Sequence, residues 1–292
     1  MSASPAPFSP QRKRAQRARI AGGLPDAGFL HARVGRELAE RLGAVNRTFA
    51  RALVWGAAGH FAPPAERVGV LWRADSVERL ALGGAVFDPE TSPLAEGAFD
   101  LIVHVLNLHW SNDLPGALIQ ARRALAPDGL FLAAMLGGRT LEQLRSCLID
   151  AELALTDGAA MRVAPFAELT DMAGLLQRAG FTLPVVDTDM VTVRYGAPLQ
   201  LLADLRAMGE TAAPATPAPA LRRSVLAQAL ALYQTRFGGA DGKLPATFEI
   251  LYLHGWAAHA SQQKPLRPGS AKQRLADALG VREESAGEKA GG

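Results

Sequence analysis

Ala52-Leu53-Val54-Trp55-Gly56-Ala57-Ala58-Gly59 is an apolar segment that runs straight into a turn carrying two glycines. Phe99-Asp100-Leu101-Ile102-Val103 follows further along. Pro127-Asp128-Gly129 then introduces a third apolar run, Leu130 to Met135. Continuous apolar runs of this length, without polar alternation, are what strands buried on both faces of a parallel sheet require. The intervening segments are long enough for helices, so the pieces read as βαβ units.

Working outward, Val68 to Trp72 is a second strand ending near Asp75, and a short third strand around Ala85 to Phe87 ends at Asp88. The fourth covers Phe99 to Leu106. Leu30, Val34, Leu38 and Leu42 recur at helical spacing ahead of the sheet. Asn112 or Asp113 caps a helix with Pro115 in its first turn and Leu114, Leu118 and Leu125 along one side, which Pro127-Asp128-Gly129 stops. Thr140 and Gln143 read as a capping box opening a helix that bears Leu141, Leu144, Leu148 and Ala151. A further helix runs to about Ala179, with Gly180 as its stop. Val185 to Tyr195 is extended, 196–240 is mostly helical, and Phe248 to Leu253 is a last strand. Thr211 to Pro219, an Ala/Thr/Pro stretch, is expected to be a mobile loop. The domain expectation is a basic arm over 1–29, a core over 30–195, a helical insertion with the final strand over 196–268, and a disordered tail over 269–292.

The chain has 292 residues, 49% hydrophobic and 20% charged, enough to bury a large core. Its net charge of +3 is unevenly placed: Arg12, Lys13, Arg14, Arg17 and Arg19 all precede the first acid, Asp26. No aromatic residue interleaves with these cations, so the arm reads as a solvated face or a dock for an acidic partner rather than a nucleic-acid contact. The single cysteine, Cys147, excludes an internal disulfide and CxxC chemistry, and its leucine neighbours suggest a buried apolar role. No apolar stretch reaches the roughly 18 residues of a membrane span, and no apolar segment follows the basic arm as in a secretory signal. The six histidines form no HxD, HxE or HExxH pair, so no metal site is expected.

Parallel α/β sheets bind ligands at the carboxyl ends of their strands. The order strand, glycine turn, acid after the second strand and Pro-Asp-Gly before the fifth is that of an S-adenosylmethionine-binding domain. The expected cofactor contacts are Gly56, Ala58 and Gly59 in the turn, Asp75 toward a ribose diol, Asp88 toward adenine, and Leu106 and Asn107 closing the pocket. Val54, Ala58 and His60 stand where such a turn usually carries an acid and two further glycines. Asp75 reads equally as a helix N-cap beside Ser76, and Asp88 as a turn residue before Pro89. His109 is a candidate acid/base or substrate contact, against the alternative of a structural histidine, and Trp110 is a candidate pocket wall.

Leu108-His109-Trp110-Ser111-Asn112-Asp113-Leu114-Pro115 gives the chain a specific likeness. It resembles the complex I assembly factor 5 family, methyltransferase-like peptidyl-arginine hydroxylases, in a bacterial form. Gly137-Gly138-Arg139-Thr140-Leu141-Glu142-Gln143-Leu144-Arg145, Val186-Asp187-Thr188-Asp189, Asp204-Leu205-Arg206-Ala207-Met208-Gly209-Glu210 and Pro245-Ala246-Thr247-Phe248-Glu249-Ile250 match as well. The likeness spans roughly residues 8 to 265, basic arm included, which places that arm in the mature protein. It implies a class I methyltransferase fold of seven mostly parallel strands, with helices inserted before the last. It also implies S-adenosylmethionine as cofactor and, as substrate, a protein arginine on a quinone-module subunit of complex I. The expected location is the bacterial cytoplasm, with association at the inner membrane face through the arm, or the mitochondrial matrix if the source is eukaryotic. Two alternatives share the fold: a carrier-protein or small-molecule O-methyltransferase, such as the malonyl carrier enzyme of biotin synthesis, and a non-catalytic complex I assembly chaperone.

Overall fold

A computed structural model describes residues 6–20, 28–56, 59–216 and 218–262. The elements in chain order are α1 (Pro10–Ile20), α2 (Phe29–Ala44), β1 (Phe49–Trp55), β2 (Val68–Asp75), α3 (Glu78–Ala81), β3 (Ala85–Val86), β4 (Phe99–Val105), α4 (Leu114–Ala124) and β5 (Leu125–Leu136). They continue with α5 (Glu142–Leu155), α6 (Leu169–Arg178), β6 (Phe181–Tyr195), α7 (Pro198–Ala207), α8 (Arg223–Phe237) and β7 (Leu244–Ala257). The strands form one sheet in the order β3-β2-β1-β4-β5-β7-β6. β7 runs antiparallel to both β5 and β6, and the pairings on the other side of β5 are parallel. This is the class I methyltransferase arrangement, with α7 and α8 inserted before the last strand.

Residue parity decides which face each strand side chain covers, because successive side chains point to opposite sides of a sheet. In β1, Ala52 and Val54 join one core with α2 and α5, while Leu53 and Trp55 join the other with α4 and α6. In β5, Leu130, Leu132, Ala134 and Leu136 face the first core, and Phe131, Ala133 and Met135 the second. The unbroken apolar runs of the sequence are therefore two interleaved half-patterns, each matched to its own layer of helices. Cys147 is buried within the first core, where burial pushes its thiol pKa up.

Three expectations are corrected. Pro127-Asp128-Gly129 does not end α4. The helix stops at Ala124, and the turn is a bulge inside β5: β4 pairs Phe99 with Leu125 and then Leu101 with Leu130. Asp128 takes the left-handed conformation, φ 62°, that this detour needs. The capping box at Thr140 and Gln143 is not formed. The Thr140 hydroxyl donates to the Glu249 carbonyl and accepts from the Glu249 N–H, and the Gln143 amide donates to the Thr247 hydroxyl, so both residues tie α5 to β7. The Ala/Thr/Pro stretch is not a free loop over its described residues. Ser9 N–H donates to the Ala213 carbonyl and Ala215 N–H to the Pro7 carbonyl, both at 2.9 Å, and Ala213 is fully buried. Two short polypeptide segments satisfy each other's backbone groups, which composition alone does not signal. The tail at 269–292 lies outside the described residues.

Candidate functional site

The carboxyl ends of β1, β2, β4 and β5 meet along one edge. Gly56 ends β1 with φ 83°, and a Cβ there would stand 2.8 Å from the Val105 carbonyl oxygen, so the turn requires glycine. Gly59 also has positive φ, at 84°, and Ala58 lies outside the described residues. At the end of β4, buried Leu106 sits at φ 46°, a conformation L side chains avoid, and is held there by its N–H bond to the Ala134 carbonyl. Asn107 follows, also buried.

Asp75 closes β2 with no exposure, and its carboxylate is claimed from within the chain. Arg17 of α1 donates Nε to Oδ1 at 2.9 Å and Nη2 to Oδ2, a forked pair of charge-assisted bonds. The same Nη2 donates to the Gly56 carbonyl at 3.1 Å, and the guanidinium lies 5.9 Å from the Trp55 ring centre. Asp75 is not the N-cap of the next helix: α3 begins at Glu78, preceded by Val77 as its capping residue. One turn earlier on the same side of α1, Lys13 donates to the Trp110 carbonyl at 2.8 Å and pairs with Glu90 at 3.4 Å. The Gln16 amide reaches Thr211. Asp88 accepts from the Glu90 N–H at 3.0 Å, capping the short turn Pro89–Thr91, the turn role that its position before Pro89 suggested.

Helix α1 therefore lies across the strand ends. The cleft left among Lys13, Arg17, Trp55, Asp88, Asn107 and Trp110 has about 20 Å³, room for little more than one water molecule. A nucleoside does not fit this arrangement, since the space left beside Asp75 holds little more than one water molecule.

His109 and Trp110 both direct a ring N–H at Glu210. His109 is buried; its Nδ1 accepts the Leu136 N–H at 3.3 Å, which leaves the ring proton on Nε2, directed at Glu210 Oε2 at 3.0 Å. Trp110 Nε1 donates to the same oxygen at 3.1 Å, while its ring meets Phe8 edge to face at 5.1 Å. Glu210, to which sequence reasoning gave no separate role, stands just after α7, where its N–H bonds the Leu205 carbonyl. Its side chain lines both the small cleft and a separate cavity of about 640 Å³. That cavity has apolar walls from Leu144, Leu148, Phe166 and Phe248, with exposed Arg12 and Arg206 also among its lining residues.

Close by on α2, His31 is buried with no hydrogen-bond partner at either ring nitrogen among the described residues. Burial and the neighbouring positive charge of Arg17 push its pKa down to about 3, so the ring is neutral. Among the described residues, no group of three His, Cys, Asp or Glu is placed to hold a metal ion, and no helix is long and apolar enough to cross a membrane.

Comparison with known proteins agrees with this architecture. A methyltransferase-domain family model matches residues 71–133. The YcgJ protein of Bacillus subtilis superimposes with a TM-score of 0.53 at 14% identity, over 77% of this chain and 99% of that one, which shows the fold. A malonyl-[acyl-carrier protein] O-methyltransferase of Halorhodospira halophila is 33% identical over 61% of this chain and 58% of its own length. The arginine-hydroxylase NDUFAF5, mitochondrial, of Danio rerio is 38% identical over 85% of this chain and 81% of its own. The human protein of the same name is 37% identical, over 83% of this chain and 74% of its own length. At that identity and coverage, on the class I S-adenosylmethionine-dependent methyltransferase fold, the chain belongs to the NDUFAF5 arginine-hydroxylase family.

Proposed function

We propose that this chain modifies an arginine side chain of a protein during assembly of respiratory complex I, and that the modification is hydroxylation. The observation that carries the reading is the Glu210 carboxylate. Two N–H donors fix its Oε2, and it faces an apolar cavity long enough for an alkyl side chain. A guanidinium pairs with a carboxylate through a planar fork, and here the carboxylate is held in one orientation before the substrate arrives. The apolar walls, Phe166 among them, receive the methylenes of the arginine, and His109 and Trp110 keep Glu210 in place through their N–H groups.

Hydroxylation replaces a C–H bond by C–O–H. With dioxygen as oxidant it takes two electrons and two protons from a reductant and releases one water. The chain's own part is to bind and orient the arginine and to exclude bulk water from it. S-adenosylmethionine is assigned to the strand-end cleft, with Gly56, Gly59, Asp75, Asp88, Leu106 and Asn107 as its neighbours. Helix α1 fills that cleft in this arrangement. The substrate assigned is a quinone-module subunit of complex I, met in the bacterial cytoplasm or the mitochondrial matrix. The names of the relatives place those proteins in mitochondria, which supports the second of these locations.

The test is mass spectrometry of the complex I subunit arginine in cells lacking the gene, then in cells given back the wild-type or the Glu210→Gln chain. The expected result is the mass of one added oxygen with the wild type and loss of most of it with Glu210→Gln. An added methylene would mark methyl transfer instead, and an arginine of unchanged mass in all three strains would remove the enzymatic reading.

A further inference from the structure

We propose that α1 is a displaceable occupant of the cofactor cleft: Arg17 holds the Asp75 carboxylate until S-adenosylmethionine takes it, so that cofactor binding and α1 docking exclude each other. The inference rests on the cofactor assignment above and adds to it a linkage between cofactor and helix.

The chemistry of the contact supports competition. A ribose diol would present two O–H donors to a carboxylate, and Arg17 already presents two N–H donors to the two oxygens of Asp75. The Gly56 carbonyl at the glycine turn is taken by the same guanidinium. Ligand and side chain ask for the same atoms, and a cleft of about 20 Å³ cannot hold both.

The way α1 is attached makes release feasible. Its buried residues are Gln16, Arg17 and Ile20, and of these Ile20 alone is apolar. Lys13, Gln16 and Arg17 anchor it through polar contacts that water and solvated ions can replace. Little apolar surface is exposed when it leaves, so the hydrophobic cost of undocking is small. Nearby, buried His31 has two ring nitrogens without partners among the described residues. A buried polar ring left unsatisfied is costly in the docked state.

Release would also reach the substrate side. Gln16 holds Thr211, and Thr211 and Pro214 line the large cavity that Glu210 faces. When α1 leaves, that wall loses an anchor, so cofactor arrival loosens the mouth of the cavity. The order implied is cofactor first, protein arginine second.

The experiment uses the full chain and S-adenosylhomocysteine as probe. Hydrogen exchange of wild-type protein is measured with and without the probe, and its affinity is measured by calorimetry for wild type and for Arg17→Met. The expected result is faster amide exchange across residues 10–20 when the probe is bound, and affinity about tenfold or more tighter for Arg17→Met. Bound probe with unchanged or slower exchange in α1, together with equal affinities, overturns the linkage while leaving the cofactor assignment intact. No binding by either protein at millimolar probe overturns both. The exchange measurement needs no variant, so the proposal stays testable even if Arg17→Met folds poorly.

Discussion

The strand-end cleft and the apolar cavity meet at Glu210, which lines both, yet one is filled and the other open. In the cleft a carboxylate, Asp75, has both oxygens bonded to a guanidinium of its own chain. In the cavity a second carboxylate, Glu210, is held through Oε2 by His109 and Trp110, beside about 640 Å³ of space. Two acids far apart in sequence thus stand in opposite conditions: one is neutralised by an internal arginine, the other is oriented by donors that carry no fixed charge. An acid left facing an apolar space is the better recognition group for an external cation. An acid already satisfied has to be vacated before it can serve a ligand.

The largest expected effect breaks the filled half. Asp75→Ala removes both acceptors of Arg17, and because α1 can undock and so release the cation to water, the unfolding free energy measured by denaturant titration should fall by about 1.5–3 kcal/mol. The double variant Arg17→Met/Asp75→Leu removes both charges and should recover most of that loss. A double variant as unstable as Asp75→Ala would mean that α1 docking depends on more than the pair.

Breaking the open half should leave the fold in place and remove recognition. Glu210→Gln keeps an acceptor for His109 and Trp110 but loses the charge opposite a substrate guanidinium. A charge-assisted bond is worth about 1.5–3 kcal/mol, so modified product in cells should fall by about tenfold to a hundredfold with little change in thermal unfolding.

A pH titration sharpens the contrast at the histidines behind the cleft. His31, packed near Arg17, His60 and His109, and His104, stacked on Trp55, are both pushed down to about 3 by burial. They are neutral in the folded chain, whereas in the unfolded chain they protonate near pH 6.5. Between about pH 6.5 and 3 the unfolded state therefore holds more protons, and stability is lost as pH falls, by up to about 1.4 kcal/mol per pH unit for each histidine. His104→Phe should flatten this slope by about half, measured as denaturation midpoint against pH. An unchanged slope would exclude His104 as a contributor to the loss.

The smallest effect on stability is expected at the cavity lining. Ala203→Phe places a ring into the cavity from an exposed position, so stability should change by no more than about 0.5 kcal/mol. Binding of an arginine-containing substrate peptide, read by calorimetry, should weaken. Undiminished peptide binding would move the substrate site away from this cavity.

Much of the fold was legible because its signals are local. Apolar runs at Leu53, Ile102 and Leu132 mark buried strands, Asp113 caps α4, and Gly180, at φ 90°, stops α6. The mistakes arose where a locally sufficient signal met a distant competitor. Thr140 and Gln143 have the spacing of a capping box, but Glu249 and Thr247 of β7 use their side chains instead. Thr211 to Pro219 has the composition of a loose loop, but residues 7–16 bond to its first half.

The sequence by itself determined the order of strands and helices, the glycine turn after β1, and the family likeness carried by the run from Leu108 to Pro115. Only the tertiary structure decided what the site acids touch. Arg17 and Asp75 are 58 residues apart, and His109 and Glu210 are 101 apart. Hydrophobic periodicity records which face of an element is buried because neighbours in sequence share that face. It carries nothing about which charge a distant helix will bring to a strand end, because that pairing is fixed only when the sheet closes and α1 lies across it.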